Sequence, residues 1–167
     1  RLHVDGDLRF AEKTPRNATI VGFLADAFTE AKFIHIYRDG RDAALSLSKQ
    51  PWITKAGAEK RQYEPGGYPM GPYPQYWVEP ERSAEFQATS DFHRCIWMWR
   101  QVTEAALDGG QTLEPERYHE LRYESLVVNP EQEADRLLRF IGMENTASRD
   151  ALHHALKQSR SDAVGTW

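Results

Sequence analysis

Residues Phe33 to Ser46 read FIHIYRDGRDAALS, and the fold turns on them. The first five are strand-favouring side chains bounded by charge, the pattern of a buried β-strand. Arg38 stands at the C-terminal end of that strand. Asp39 can cap a helix running to about Lys49, with Asp42 three residues on in the place of a capping-box partner. In open parallel sheets ligands bind at the C-terminal strand edge. A helix that starts there presents free N–H groups and the positive end of its dipole to an anion. Arg38 adds a bidentate fork, and Ser46 on the same helix adds a hydroxyl. The residues alone leave two readings open: an anion site, or Arg38 and Arg41 paired with Asp39, Asp42 or nearby Glu side chains.

On the N-terminal side, Leu8–Lys13 (LRFAEK) reads as a short strand stopped by Thr14-Pro15, since proline cannot donate to a ladder. From 18 to 31 the residues Ile20, Phe23, Leu24, Ala27 and Phe28 recur at helical spacing, with Asn17 as a plausible N-cap. The order strand, helix, strand, helix predicts a βαβ unit and a parallel sheet. On the C-terminal side, residues 51–82 hold six prolines, four glycines, four tyrosines and two tryptophans without a period. They read as a long loop, and the aromatics favour an ordered pocket wall over a solvated linker.

One long helix is expected over 83–107, with Phe92, Cys95, Ile96, Trp99, Val102, Thr103 and Ala106 as its stripe and Gly109-Gly110 as its end. Residues 117–123 (RYHELRY) alternate as a strand. Asn129-Pro130 opens a further helix, with Asn as cap, Pro at its first position and Gln132 completing a capping-box-like pair. Gly142 ends it. Residues 149–158 form a last short helix.

The chain has 167 residues and a net charge of -4, which fits one globular domain, 1–167, and argues against a broad nucleic-acid or membrane-surface footprint. Fifteen of its 21 basic residues are Arg, so a local anion site fits inside an acidic protein. Cys95 is the lone cysteine, which leaves no disulfide or cysteine metal site and fits a reducing, cytoplasmic setting. His153 and His154 are adjacent, so on a helix they face about 100° apart and make a poor metal pair. No metal and no transmembrane segment is expected, and nothing signals an oligomeric state.

YRDGRDAALS resembles the 3′-phosphate-binding signature of PAPS-dependent sulfotransferases. Three more segments agree in order. Leu121–Pro130 (LRYESLVVNP) is similar to that family's RYEDLV…P element. Arg160–Trp167 (RSDAVGTW) is similar to its terminal loop, though reading Arg-Ser-Asp in place of the commoner Arg-Lys-Gly. Glu12–Asn17 (EKTPRN) is similar to the EKTPR segment of bacterial and carbohydrate-type members. The resemblance spans Leu8 to Trp167. It implies a three-layer α/β/α domain with a mainly parallel sheet and a P-loop NTPase-like sulfotransferase fold.

That resemblance also implies roles. Arg38 and Ser46 hold the 3′-phosphate of PAPS, the sulfuryl donor, with Arg160, Ser161 and Gly165 from the terminal loop and Tyr123 beside the adenine. Tyr123 also reads as an ordinary core-facing strand residue. Glu12 is the expected general base and Lys13 the electrostatic aid, since the acceptor must lose a proton and the bridging oxygen gains charge. As residues alone, Glu12 and Lys13 equally fit an exposed surface couple. Phenolic sulfotransferases carry a His where this chain has Pro15. Trp52, Tyr73, Trp77 and His93 line the expected pocket for a small-molecule, carbohydrate or lipid acceptor. The family's Pro-x-Ser-Gly-Thr-type 5′-phosphosulfate loop does not occur, so the first strand and loop are expected upstream of Arg1. The alternatives are a P-loop kinase, though no Gly-x-x-x-x-Gly-Lys-Ser/Thr loop is present, and a non-catalytic nucleotide-binding module.

Overall fold

The computed structural model describes residues 9–63, 67–156 and 164–165. The chain runs through a 3-10 turn (Pro15–Ile20), α1 (Val21–Ala27), β1 (Phe33–Tyr37), α2 (Gly40–Leu47), α3 (Lys55–Glu59), a second 3-10 turn (Pro80–Arg82), α4 (Ser83–Ala88), α5 (Asp91–Gln111), β2 (Tyr118–Arg122), α6 (Tyr123–Val128), α7 (Pro130–Ile141) and α8 (Thr146–Leu156). β1 and β2 pair in parallel, Phe33 opposite Tyr118 and Tyr37 opposite Arg122. The molecule is therefore an α/β fold with a small parallel sheet among its described residues.

Helices pack against the pair from both sides. The Tyr118 hydroxyl lies 2.9 Å from His35 Nδ1 and donates to Ala106 O of α5 at 3.2 Å. Its single proton is committed to Ala106, so His35 Nδ1 is the donor of the other bond. Burial pushes the Tyr118 hydroxyl up to about 12 and lowers the His35 imidazole. On the opposite face the His119 ring stacks on Phe140 of α7, centroids 5.1 Å apart. Leu121 on that face is buried, whereas Ile34 and Ile36 are 39% and 56% exposed. The buried strand expected of β1 is thus only half-buried, on its α5 side, and exposed on the other.

The core joins α2, the 51–82 segment and α5. Ala44, Ile53 and Cys95 are buried together, with Leu47, Trp77, Ile96 and Met98 against them. Burial pushes the Cys95 thiol up to about 11. Gly142 ends α7 in the left-handed region, φ 68 and ψ 42, where glycine has no Cβ penalty. Met143 N then reaches back to Leu138 O at 2.9 Å, as in a Schellman ending.

Several local expectations are corrected. Residues 9–14 form no strand, and Asn17 sits inside the 3-10 turn, where it caps no helix. The single helix expected over 83–107 is two: the chain is extended at Thr89, and Ser90 caps α5 by accepting from His93 N at 3.2 Å. α5 also runs through Gly109 and Gly110 to Gln111. The 51–82 loop contains α3, an isolated antiparallel bridge between Tyr63 and Pro69, and the second 3-10 turn. α7 begins at Pro130, but Asn129 makes no side-chain cap bond. Tyr123 opens α6 instead of closing a strand.

Candidate active site

The site begins where β1 ends. Arg38 follows the last strand residue, and its carbonyl accepts Trp99 Nε1 at 3.1 Å. Its guanidinium carbon lies over the Tyr123 ring, 5.7 Å from the centroid, and its Nη2 is 3.7 Å from Asp42 Oδ1. Parallel pairing of β1 with β2 is what brings Arg38 and Tyr123 together, since each lies just past the end of its strand.

Asp39 caps α2. Its Oδ1 accepts Arg41 N at 2.9 Å and Arg41 Nε at 3.0 Å, and its Oδ2 accepts Arg41 Nη2 at 2.7 Å. These bonds to Arg41 pull the Asp39 carboxyl down to about 2. Arg41 therefore fixes the turn. The expected capping-box return from Asp42 to the Asp39 amide is not made. Glu124 Oε1 accepts that N–H at 2.7 Å instead.

Asp42 is 2% exposed. Besides the pairing with Arg38, its Oδ2 accepts Gly165 N at 2.7 Å, so Gly165 meets α2 at its first turn. Ser46 is exposed one turn beyond Asp42, and that spacing sets these two along one side of α2, with Arg38 just ahead of the Asp39 cap. Arg160 and Ser161 lie outside the described residues. Next to the site is a pocket of about 500 Å³ lined by Arg38, Arg41, Arg122, Ile96, Trp99 and Leu107, among others.

A second group forms around the Glu12–Asn17 segment. Glu12 and Lys13 are exposed in irregular backbone, so strand alternation does not set their directions. Both Glu12 oxygens accept local bonds, from Thr14 Oγ1 and Asn17 Nδ2. Arg16 lies over the Tyr68 ring at 5.2 Å, and Tyr68 is 6.3 Å from Tyr76, which ties this segment to the aromatic loop. Trp52 and Tyr73 are 42% and 43% exposed. Trp77 is half-buried, edge-on to Phe86 at 5.3 Å, and thus packs into the core. His93 is exposed and joins the α5 cap through Ser90 Oγ at 2.8 Å from its Nδ1.

Three structural residues of this region escaped the sequence reading. Gly40 is the only side chain that fits under Trp99, since a Cβ there would meet the indole at 2.5 Å. Glu124 is the cap partner described above. Arg94, fully buried, donates to Ile53 O at 3.0 Å, to Phe86 O and Gln87 O at 3.3 Å each, and to Thr89 O, and pairs with Asp91. Arg94 sits off the apolar stripe of α5, so the helical spacing carried no signal of its burial.

Among the described residues no group of three or more His, Cys, Asp or Glu side chains is placed to hold a metal ion, and no helix is long and apolar enough to cross a membrane. No curated protein and no solved structure matches the chain. A strand-end arginine, a capped helix behind it and a tyrosine just past the neighbouring strand fall within one family model, that of the sulfotransferase family, which matches residues 2–147. The chain belongs to the sulfotransferase family.

Proposed function

We propose that the protein transfers a sulfuryl group from PAPS to a hydroxyl or amine acceptor, and that this chain carries the 3′-phosphate and adenine half of the site. The observation that carries the reading is Arg38 held over Tyr123 at the start of a capped helix. A guanidinium at the positive end of a helix dipole suits a phosphate, and an aromatic face beside it suits a base. Ser46 extends the anion site along α2, and Gly165, bonded to Asp42, lies beside it. The three-layer, P-loop-like arrangement is the expected frame of the whole domain.

In the transfer, the acceptor oxygen or nitrogen bonds to sulfur. The bond from sulfur to the bridging oxygen breaks, and its electron pair stays on the 5′-phosphate of adenosine 3′,5′-bisphosphate. Glu12 takes the acceptor proton and Lys13 stabilises the bridging oxygen. Arg16, Tyr68 and Tyr76 place the aromatic loop next to this segment. That supports the 51–82 segment, with Trp52 and Tyr73 exposed on it, as a wall of the pocket for a small-molecule, carbohydrate or lipid acceptor.

Calorimetry with adenosine 3′,5′-bisphosphate and AMP tests the nucleotide assignment. A charged hydrogen bond contributes roughly 1.5–3 kcal/mol, so Arg38→Ala weakens the bisphosphate about tenfold or more and leaves AMP nearly unchanged. Equal losses for the two ligands refute it.

A further inference from the structure

Glu124 stands at the junction of β2 and α6, one residue after Tyr123, with its side chain 18% exposed. One carboxylate oxygen accepts the Asp39 N–H at 2.7 Å, and the other accepts Arg122 Nε at 3.2 Å. In a capping box the residue three places inside the helix reaches back to the N-cap N–H. In α2 that residue is Asp42. Glu124 makes the bond in its place from 85 positions away. Asp42 is turned instead to Gly165 N at 2.7 Å and to Arg38 Nη2 at 3.7 Å.

We propose that Glu124 is a positioning residue for 3′-phosphate recognition: by occupying the Asp39 amide it leaves Asp42 to hold Arg38 over Tyr123. The inference rests on the nucleotide reading above. Without an acceptor at 124 the Asp39 N–H is left unbonded at a half-buried helix start, which is costly. The carboxylate in register to satisfy it is that of Asp42, and its rotation toward Asp39 takes the partner away from Arg38. Glu124 itself touches no phosphate, so its effect is indirect and specific to the ligand that Arg38 reads.

The test is calorimetry of adenosine 3′,5′-bisphosphate and AMP on the parent chain and on Arg38→Ala, Glu124→Ala and Glu124→Gln, with a thermal midpoint for each. The readout is the ratio of the two dissociation constants. Glu124→Ala lowers the preference for the bisphosphate about fivefold, less than the tenfold or more of losing the Arg38 guanidinium itself, while AMP affinity holds. Glu124→Gln restores most of it, because its amide oxygen still accepts the Asp39 N–H. A residue with a stabilising role alone lowers the midpoint and leaves the ratio unmoved. A parent-like ratio in Glu124→Ala, beside a lost ratio in Arg38→Ala, overturns the proposal and leaves the nucleotide reading standing. A parent without preference, or an Arg38→Ala chain that keeps it, overturns both. Where Glu124→Ala does not fold, Glu124→Asp, one methylene short of the Asp39 amide, must show the same loss.

Discussion

A Cβ on Gly40 would lie 2.5 Å from Trp99 Cε3, so the first turn of α2 and the middle of α5 meet where only a hydrogen fits. The same indole donates from Nε1 to Arg38 O at 3.1 Å. One tryptophan therefore sets both the height of α2 and the end of the strand that delivers Arg38.

Gly40→Ala consequently pushes α2 off α5. Overpacking of this kind costs about 1–3 kcal/mol. Denaturant unfolding reads that loss, and calorimetry reads a weaker adenosine 3′,5′-bisphosphate complex. A variant with parent stability and affinity would show that the indole yields freely.

Arg94→Met leaves the carbonyls of Ile53, Phe86, Gln87 and Thr89 without their buried donor. Each unsatisfied buried group costs about 1–3 kcal/mol, so the variant loses about 3 kcal/mol or more in urea unfolding. Arg100→Ala, at an exposed pair with Glu104, leaves the midpoint almost unchanged. Comparable shifts in the two variants would contradict a hub at Arg94.

Local chemistry made β1 and α2 legible. Strand-forming side chains, an Asp cap and a helix start lie within a few residues of one another, so FIHIYRDGRD carries its own instructions. Long-range partners were not legible. The Asp39 cap looked closed by Asp42, whereas Glu124 arrives from 85 residues away. The α4–α5 break was hidden because helical apolar spacing runs across it, although Ser90-Asp91 is a cap signal. LRFAEK has the composition of a strand but no ladder partner among the described residues, and without one residues 9–14 stay irregular. At the site, Arg38 and Tyr123 meet through the parallel register of their strands, which the sequence does not print. The positions of Arg160 and Ser161 fall outside the described residues.

Acid should expose the Asp39 cap. Bonds to Arg41 hold its carboxyl at about 2 against an ordinary 3.8. A carboxyl that binds its proton less readily folded than unfolded adds stability above 3.8, and that contribution fades as pH falls toward 2. Thermal midpoints of the parent and Asp39→Asn should differ at neutral pH and converge near pH 2. A constant gap across that range would remove the pair as its source.

Cys95 is buried and its thiol is pushed up to about 11. Little thiolate exists at pH 8, and reagent reaches it only when α5 opens. Labelling with a disulfide reagent should be slow in buffer and fast in denaturant, and should track unfolding. Rapid stoichiometric labelling of folded protein would contradict the burial.

Glu12→Gln tests the proposed base on protein turning over an acceptor. Loss of a general base costs about 10²–10⁴ in rate, so kcat falls by that much while nucleotide affinity holds. Thr14→Val and Asn17→Ala, which release the Glu12 oxygens, should lower kcat by less in the same direction. A near-normal kcat in Glu12→Gln moves the base to the 51–82 segment or to His93.

The parallel register of Phe33 with Tyr118 has a consequence during synthesis. β1 leaves the ribosome about 80 residues ahead of the strand it pairs with, which at 5–20 residues per second is on the order of 4–16 seconds. For that interval FIHIY is an apolar segment with two open edges, the kind of stretch that recruits foreign strands. Ile34 and Ile36 remain exposed even in the folded chain. The yield of soluble protein should therefore depend on translation speed and on holdase chaperones more than its equilibrium stability indicates.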